Sequence, residues 1–385
     1  MKRLFFSLML LLAISLSLVA CDKKKDKTTT VPATTTVPTT TATTTATTTT
    51  TAPQPTSADL YAEAMAKIAA GEFEEAYDLL VSLGDYGDAA AQVDRFLWVP
   101  VTGHYTDGEE SASVTVTLGA DGLPTRFLYV EEDEDEVWED LYELTWNEDN
   151  KLILERNTWD ESESTTTYTY DAKGRLATTA RMYNGEYFQT LTYTYDEQDR
   201  LIRRVSSESG LTFTYECEYN AQGLVSKETY TNGSDDVQMQ TYTYNAAGNV
   251  TSETWTDGTN TSTVTYTYDA SGERLLEMDN GALHTYTYDA KGQLILVTHE
   301  GSKEGTSTDA YTYDDEGRVL TEVYTSGDYV DTYVYTYDTH GNIIGYVNTY
   351  DEYTDVYTFT YRLIYVPEGL TVEEIEELFY DYMDI

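Results

Sequence analysis

Between Leu144 and Tyr337 one short phrase keeps returning: aromatic, Thr, aromatic, Asp or Asn, two variable residues, Gly, one variable residue and an apolar residue. It is seen in Tyr168-Thr169-Tyr170-Asp171, Tyr193-Thr194-Tyr195-Asp196, Tyr266-Thr267-Tyr268-Asp269, Tyr286-Thr287-Tyr288-Asp289, Tyr311-Thr312-Tyr313-Asp314 and Tyr335-Thr336-Tyr337-Asp338. The Asp or Asn anchors fall at 147, 171, 196, 220, 245, 269, 289, 314 and 338, so the successive spacings are 24, 25, 24, 25, 24, 20, 25 and 24. A fixed period of this length marks a tandem array, in which each unit buries its apolar face only by stacking on its neighbours.

The physics of one unit follows from its residues. Alternation in Tyr168-Thr169-Tyr170 has period 2, which puts tyrosine on one face of a strand and threonine on the other. Asp171-Ala172-Lys173-Gly174 fits a type I turn closed by a residue of positive φ. Asp171, Asp196, Asp269, Asp289, Asp314 and Asp338 open such turns, and Gly174, Gly223, Gly248, Gly272, Gly292, Gly317 and Gly341 close them. Asn150 and Asp199 replace the glycine, and both residue types tolerate the left-handed region. Closing the hairpin this way sets Tyr170 opposite Leu176 and Asp171 opposite Arg175. The first pairing recurs as Trp146 with Leu152, Tyr195 with Leu201 and Tyr337 with Ile343. Such aromatic-aliphatic pairs contribute about 0.2–1 kcal/mol each.

A second turn follows each anchor, at Asn184-Gly185, Ser209-Gly210, Asn232-Gly233, Asp257-Gly258, Asn280-Gly281 and Ser326-Gly327; these read as type I′ hairpins with positive φ at both residues. Each repeat is therefore two antiparallel strands. The fold expected is mainly β: a long antiparallel hairpin meander of roughly 24-residue repeats, coiled or barrel-like because some twenty strands exceed what an open twisted sheet sustains, with small helical segments at both ends. Gly119-Ala120-Asp121-Gly122 is a weaker upstream turn, and Tyr357-Thr358-Phe359-Thr360-Tyr361 reads as the closing strand. Between Asp269 and Asp289 the spacing drops and Arg274 takes the apolar position, so the array is expected to bend, gap or open there, with Arg274 reaching solvent or pairing with an acid.

Tyr168-Thr169-Tyr170-Asp171-Ala172-Lys173-Gly174-Arg175-Leu176 resembles, position by position, the unit of the YD-repeat (Rhs) family, over roughly residues 142 to 361. That resemblance implies a β-sheet shell. In large members of the family such shells surround a C-terminal toxin or form a teneurin-like ectodomain, and no toxin domain or cleavage motif is recognised after the repeats here.

The N-terminus reads as an address. Met1-Lys2-Arg3 is basic, Leu4 to Ala20 is apolar, and Leu18-Val19-Ala20-Cys21 resembles a bacterial lipobox. Residues 1–20 are thus expected to be a lipoprotein signal and Cys21 the lipidated first residue of the mature chain, on the outer face of the cytoplasmic membrane. The remaining organisation expected is a Thr/Pro-rich disordered linker over 21–57, a tetratricopeptide-like helical hairpin over 58–97, the β array over 98–365 and a C-terminal capping helix over 366–385, started by a capping box at Thr371-Val372-Glu373-Glu374.

With 23 Lys and Arg against 68 Asp and Glu, the formal charge is −45, which repels nucleic acid phosphates. The run Glu131-Glu132-Asp133-Glu134-Asp135-Glu136 lacks the spacing of a calcium loop. His104, His284, His299 and His340 lie far apart without metal-site spacing, and Cys217 holds a core-face position where other repeats have tyrosine. No catalytic residue, cofactor or metal is expected. The candidate ligand-stacking face is the set Tyr168, Tyr170, Tyr193, Tyr195, Tyr242, Tyr244, Tyr266, Tyr268, Tyr286, Tyr288, Tyr311, Tyr313, Tyr335 and Tyr337. The expected role is a non-enzymatic surface lipoprotein whose sheet acts as an adhesion, scaffold or glycan-contacting surface toward cell-wall or host glycan or protein. The alternative is an accessory subunit of an envelope or transport complex that binds its partner through residues 58–97.

Overall fold

The computed structural model describes residues 55–133, 136–233, 236–279, 281–302 and 305–383. The signal segment, Cys21 and the linker up to residue 54 lie outside the described residues, as do Glu134 and Asp135 of the acidic run and Asn280 of one expected turn.

Three helices come first: α1 (Ser57–Ala70), α2 (Phe73–Leu83) and α3 (Ala89–Val93). Thr56 starts α1 by accepting from Asp59 N–H at 3.2 Å, while Asp59 accepts from Thr56 N–H at 2.9 Å. Ala64, Leu80 and Ala89 form their small core. The strands follow as β1 (Phe96–Thr106), β2 (Ser111–Leu118), β3 (Pro124–Glu132), β4 (Val137–Trp146), β5 (Leu152–Trp159), β6 (Ser162–Tyr170), β7 (Leu176–Tyr183), β8 (Glu186–Tyr195), β9 (Leu201–Glu208), β10 (Leu211–Tyr219) and β11 (Val225–Thr231). The second half comprises β12 (Val237–Tyr244), β13 (Val250–Thr256), β14 (Thr261–Tyr268), β15 (Arg274–Asp279), β16 (Ala282–Tyr288), β17 (Leu294–Ser302), β18 (Gly305–Tyr313), β19 (Val319–Ser326), β20 (Tyr329–Tyr337), β21 (Ile343–Tyr350) and β22 (Tyr353–Tyr365), and the chain ends in α4 (Val372–Tyr382).

Each strand pairs antiparallel with the next. β22 then returns to β1, Phe96 opposite Tyr365 and Thr106 opposite Val356, so the meander closes into a 22-stranded ring with no free edge. The repeat turns form as their chemistry requires. Gly174 N–H donates to Asp171 C=O and Asp171 N–H to Arg175 C=O, both at 2.9 Å, with Gly174 at φ 80° and the stand-ins Asn150 and Asp199 at 57° and 64°. The expected pairs Trp146–Leu152, Tyr170–Leu176, Tyr195–Leu201 and Tyr337–Ile343 are all present. At each, the register shifts by one residue, a β-bulge that the alternation pattern does not reveal. The second turns vary more than expected. Both residues have positive φ at Asn184-Gly185 and Ser209-Gly210, but only the glycine does at Asn232-Gly233, Asp257-Gly258 and Ser326-Gly327. Asp257 instead accepts from Thr259 N–H at 2.8 Å, an Asx-type turn that leaves its own φ negative.

The repeat turns lie at one rim of the ring and the second turns at the other. Both helical segments dock at the repeat-turn rim. Phe73 of α2 packs on Gly122, where an added Cβ would meet its ring at 3.2 Å, and Tyr77, Phe96 and Tyr365 meet edge to face at 5.4 and 5.1 Å. The C-terminal segment crosses the β4–β5 turn, where Asn150 Nδ2 donates to Glu368 C=O and Lys151 Nζ to Gly369 C=O, each at 3.0 Å. The expected capping box then starts α4, Thr371 accepting from Glu374 N–H at 3.1 Å. Ile375, Leu378, Phe379 and Tyr382 of α4 share one core with Val99, Val114, Phe127, Tyr142, Leu144, Leu152 and Tyr168. These residues span β1 to β6, an arc of more than 20 Å at about 4.8 Å per strand. Only the concave side of the ring can present that arc to a helix about 10 Å wide, so the tyrosine face is the inner face and α4 lies within the ring.

The short repeat does not break the ring, contrary to the expectation of a gap. β15 and β16 pair without interruption, but over four residue pairs, Leu276–Thr285 to Asp279–Ala282, where β19 and β20 make six. Arg274 pairs with an acid, its guanidinium 3.2 Å from Glu277 and 4.5 Å from the centroid of the Tyr266 ring. Amide hydrogen exchange is expected to be faster across 275–288 than across β19 and β20, because fewer rungs hold that hairpin; equal protection would show that the shortened ladder carries no local weakness.

Candidate inner-face site

The inner face carries two rows of tyrosine hydroxyls. In the first, the second aromatic of each phrase reaches back one repeat and donates to the carbonyl of the residue at the preceding bulge. Tyr170 donates to Leu152 C=O at 2.7 Å, Tyr195 to Leu176 at 2.9 Å, Tyr219 to Leu201 at 2.8 Å, Tyr268 to Val250 at 2.6 Å, Tyr288 to Arg274 at 2.9 Å and Tyr337 to Val319 at 2.7 Å. Tyr244 and Tyr313 make the same bond to Val225 and Leu294. Trp146 makes it with its indole N–H, to Pro124 C=O at 2.8 Å. A bulge disrupts the ladder and leaves backbone groups needing partners, and here the next repeat supplies the donor. Burial pushes the Tyr170 and Tyr195 hydroxyls up to about 12, which keeps both protonated as donors. The turn arginines add to this reach: Arg175, Arg200 and Arg318 bond Asp171, Asp196 and Asp314 as expected, and also lie 4.6, 4.2 and 4.9 Å over the rings of Tyr195, Tyr219 and Tyr337 in the next repeat.

In the second row, the first aromatic meets a residue three positions after the bulge. Tyr168 donates to Glu155 at 2.8 Å, Tyr266 to Glu253 at 3.2 Å, Tyr286 to Glu277 at 2.9 Å and Tyr335 to Glu322 at 3.3 Å; Tyr242 bonds Glu228, Tyr193 bonds Thr179 and Tyr311 bonds Glu322. Glu155 is 6 % exposed, and burial pushes its carboxyl above the usual range while the Tyr168 and Tyr382 hydroxyls oppose the shift. The belt of inward glutamates was not foreseen from the sequence, although its spacing from the apolar position is constant.

The candidate stacking tyrosines are thus engaged with their own sheet. Tyr168 and Tyr242 are 7 % and 6 % exposed, the rest are half-buried, and Cys217 packs with Val225 and Tyr242. Exposed aromatics of the sheet gather at the second-turn rim, with Tyr187 at 58 %, Tyr353 at 62 %, and Tyr183, Phe188 and Tyr329 beside them, while Tyr380 of α4, at 82 %, is exposed away from that rim. The fold also gathers two histidines that the sequence leaves apart. His284 and His299 are direct cross-strand neighbours with Nδ1 facing Nδ1, and His299 Nε2 lies 2.6 Å from Asp309. Among the described residues no three His, Cys, Asp or Glu side chains converge to hold a metal ion.

A closed ring of hairpins, latched from Trp146 to Tyr337 by an aromatic donor to the preceding repeat, is a shell-like scaffold. A family model described as Teneurin YD-shell matches residues 203–309, so the chain carries YD repeats. No curated protein sequence matches it. The solved structure described as TcdB2-TccC3-Cdc42 is similar at 13 % identity, with 66 % of this chain aligned to 18 % of that one and a TM-score of 0.35. A porin-like protein from Bacteroides uniformis aligns over 68 % of this chain and 98 % of its own at 12 % identity and a TM-score of 0.28.

Two outcomes test the inner face. Tyr337→Phe removes the donor to the Val319 carbonyl and is expected to lower stability by about 1–3 kcal/mol, whereas Tyr353→Phe at the exposed rim changes it by less than about 0.5 kcal/mol; equal denaturant midpoints for the two would dismiss the latch. For Glu155 the raised carboxyl means that the folded chain holds its proton more tightly than the unfolded chain. Its contribution is fully present below the ordinary carboxylate range and is lost as pH rises through the raised value. Glu155→Gln should therefore flatten the decline of the thermal midpoint between that range and neutral pH, and an unchanged pH profile would show that Glu155 does not titrate there.

Proposed function

We propose that this chain is a non-enzymatic, lipid-anchored shell protein of a bacterial envelope that uses the second-turn rim of its ring to contact glycan or protein. The observation that carries the reading is the polarity of the ring. The chain enters at the repeat-turn rim, where α1 to α3 dock, while Tyr187, Tyr353, Phe188 and Tyr183 are exposed at the opposite rim. A tether ending at Cys21 then leaves the aromatic rim facing outward. Thirty residues of Thr/Pro-rich linker reach on the order of 90–100 Å. Exposed tyrosines at the end of a rigid scaffold offer flat amphipathic area for stacking on sugar rings or for filling a protein partner's pockets.

The exterior of the ring supports a lipid anchor over insertion by the strands themselves. A membrane barrel needs an outward apolar band about 25 Å tall. Here the outward face carries threonine pairs such as Thr169–Thr178 at 2.6 Å and Thr312–Thr321 at 2.7 Å, and Arg156 bridges Glu143 and Glu163 at 3.0 and 2.7 Å. Among the described residues no helix is long and apolar enough to cross a membrane.

The test has two arms in cells that display the protein. Cys21→Ser should move it from the membrane fraction to the soluble fraction, and retention after a salt wash would indicate an uncleaved helix instead. Tyr187→Ala with Tyr353→Ala should abolish binding to purified cell-wall or host glycans, or to host-cell surfaces, while the protein stays anchored and folded; undiminished binding would remove the rim from the account.

A further inference from the structure

Three side-chain oxygens on neighbouring strands have no hydrogen-bond donor although they are shut off from solvent: Asp331 Oδ1 on β20, Asn348 Oδ1 on β21 and Asp355 Oδ1 on β22. Asn348 and Asp355 are each 7 % exposed and are direct cross-strand partners. Asp331 lies opposite Tyr350, two residues along β21 from Asn348, and is therefore diagonal to Asn348 on the same face. Directly opposed residues hold their Cβ atoms about 5 Å apart and diagonal ones about 7–8 Å. Asn348 and Asp355 therefore face each other directly, with Asp331 one diagonal step from Asn348.

Among the described residues no cationic side chain acts on either carboxylate. The Tyr350 and Tyr105 hydroxyls lie toward Asp355, and the Thr332 N–H and Tyr333 hydroxyl toward Asp331, each opposing the effect of burial. Burial first, and a nearby acid second, push both carboxyls above the usual range, the acid being Asp107 for Asp355 and Asp355 for Asp331. Aromatic rings flank the cluster, Tyr105 tilted against Tyr357 at 4.9 Å and Tyr346 stacked on Tyr357 at 4.2 Å. Buried oxygens without donors are costly, and carboxylates among them more so. What complements two carboxylates and an amide oxygen that lack donors is a compact cation able to complete its coordination with water, rather than an amine on a carbon stem. Ca²⁺ accepts carboxylate and amide oxygens in flexible geometry, whereas Mg²⁺ demands near-octahedral geometry and keeps its water.

We propose that Asp331, Asn348 and Asp355 form a calcium site on the inner face near the second-turn rim, tying β20, β21 and β22 together beside the seam at which the ring closes. The acidic run at 131–136 is the competing source of calcium binding, and its Glu131, Glu132, Asp133 and Glu136 are exposed.

The test is calorimetric titration of the purified full chain with CaCl₂ and, separately, MgCl₂ at physiological salt, with thermal midpoints in parallel. One saturable Ca²⁺ site is expected, together with a raised midpoint and a weaker response to Mg²⁺. Asp355→Asn, which keeps volume and removes charge, should weaken Ca²⁺ binding by about tenfold or more, and Asn348→Asp, which adds a third carboxylate, should tighten it. Glu131→Gln with Glu132→Gln should leave both unchanged. Three results would overturn the site: no saturable heat, a titration unaffected by Asp355→Asn and Asn348→Asp, or a midpoint indifferent to Ca²⁺ that falls as pH rises, which would mean that a shared proton fills the cluster instead.

Discussion

Each repeat of this ring is completed by a hydrogen bond that it does not make itself. The turn of one hairpin ends in a bulge, the bulge exposes a carbonyl, and the next repeat's aromatic donor reaches back to it, from Trp146 to Pro124 at one end of the series and from Tyr337 to Val319 at the other. The extra residue of the bulge lies in the strand after the turn, between Leu176 and Thr178, so it brings the residue three positions past the apolar one to the inner face, while the two tyrosines share that face by alternation. The turn arginine, paired with its own aspartate and stacked on the following tyrosine, ties the same two repeats a second time. An exposed pair of this kind contributes at most about 1 kcal/mol by itself, so the arginine's part is to hold the aromatic ring over the bulge.

A chain of such dependences has a first and a last member, and closure removes the problem they pose. β22 pairs with β1 along most of its length, and both termini of the folded part gather at the repeat-turn rim. There α1 to α3 cover the outside of the seam, and α4 fills the arc of the ring whose inner residues are most apolar. Where α4 lies, the inner row is Phe127, Tyr142, Leu144 and Leu152; beyond it, the row becomes Glu228, Glu253, Glu277 and Glu322 between tyrosines. Glu155 stands at the boundary, accepting from Tyr168 of the sheet and Tyr382 of the helix.

How much of this was legible in the sequence depends on how local the cause is. The repeat turns, hairpin pairing and the Tyr170–Leu176 type of contact follow from residues within ten positions of one another and were readable, whereas the type of the second turns was read correctly only at Asn184-Gly185 and Ser209-Gly210. The latch was nearly readable. Every occupant of its donor position, Trp146 and the tyrosines through Tyr337, carries an N–H or O–H, and none is phenylalanine, a choice that hydrophobic packing alone would not enforce. The inward glutamates look like solvent-facing residues until the bulge is counted, because one extra residue exchanges the two faces. Closure could not be read, since the β1–β22 contact joins residues more than two hundred positions apart through ordinary strand chemistry. The pairings of His284 with His299 and of Asn348 with Asp355 are local, between consecutive strands, and went unread because the sequence does not mark the register of those hairpins.

The central claim is a closed ring whose repeats are coupled all the way round, and its most exposed point is the seam. Thr102 and Thr360 are cross-strand partners there, with their hydroxyl oxygens 2.6 Å apart. Opposed residues in an antiparallel pair lie at Cα separations that a disulfide can span. In a background carrying Cys21→Ser and Cys217→Ala, Thr102→Cys with Thr360→Cys should cross-link under mild oxidation in the folded protein, and the oxidised protein should unfold in one transition at a higher denaturant midpoint. Cysteines that stay reduced, or a cross-linked protein that loses its repeats stepwise, would contradict the account.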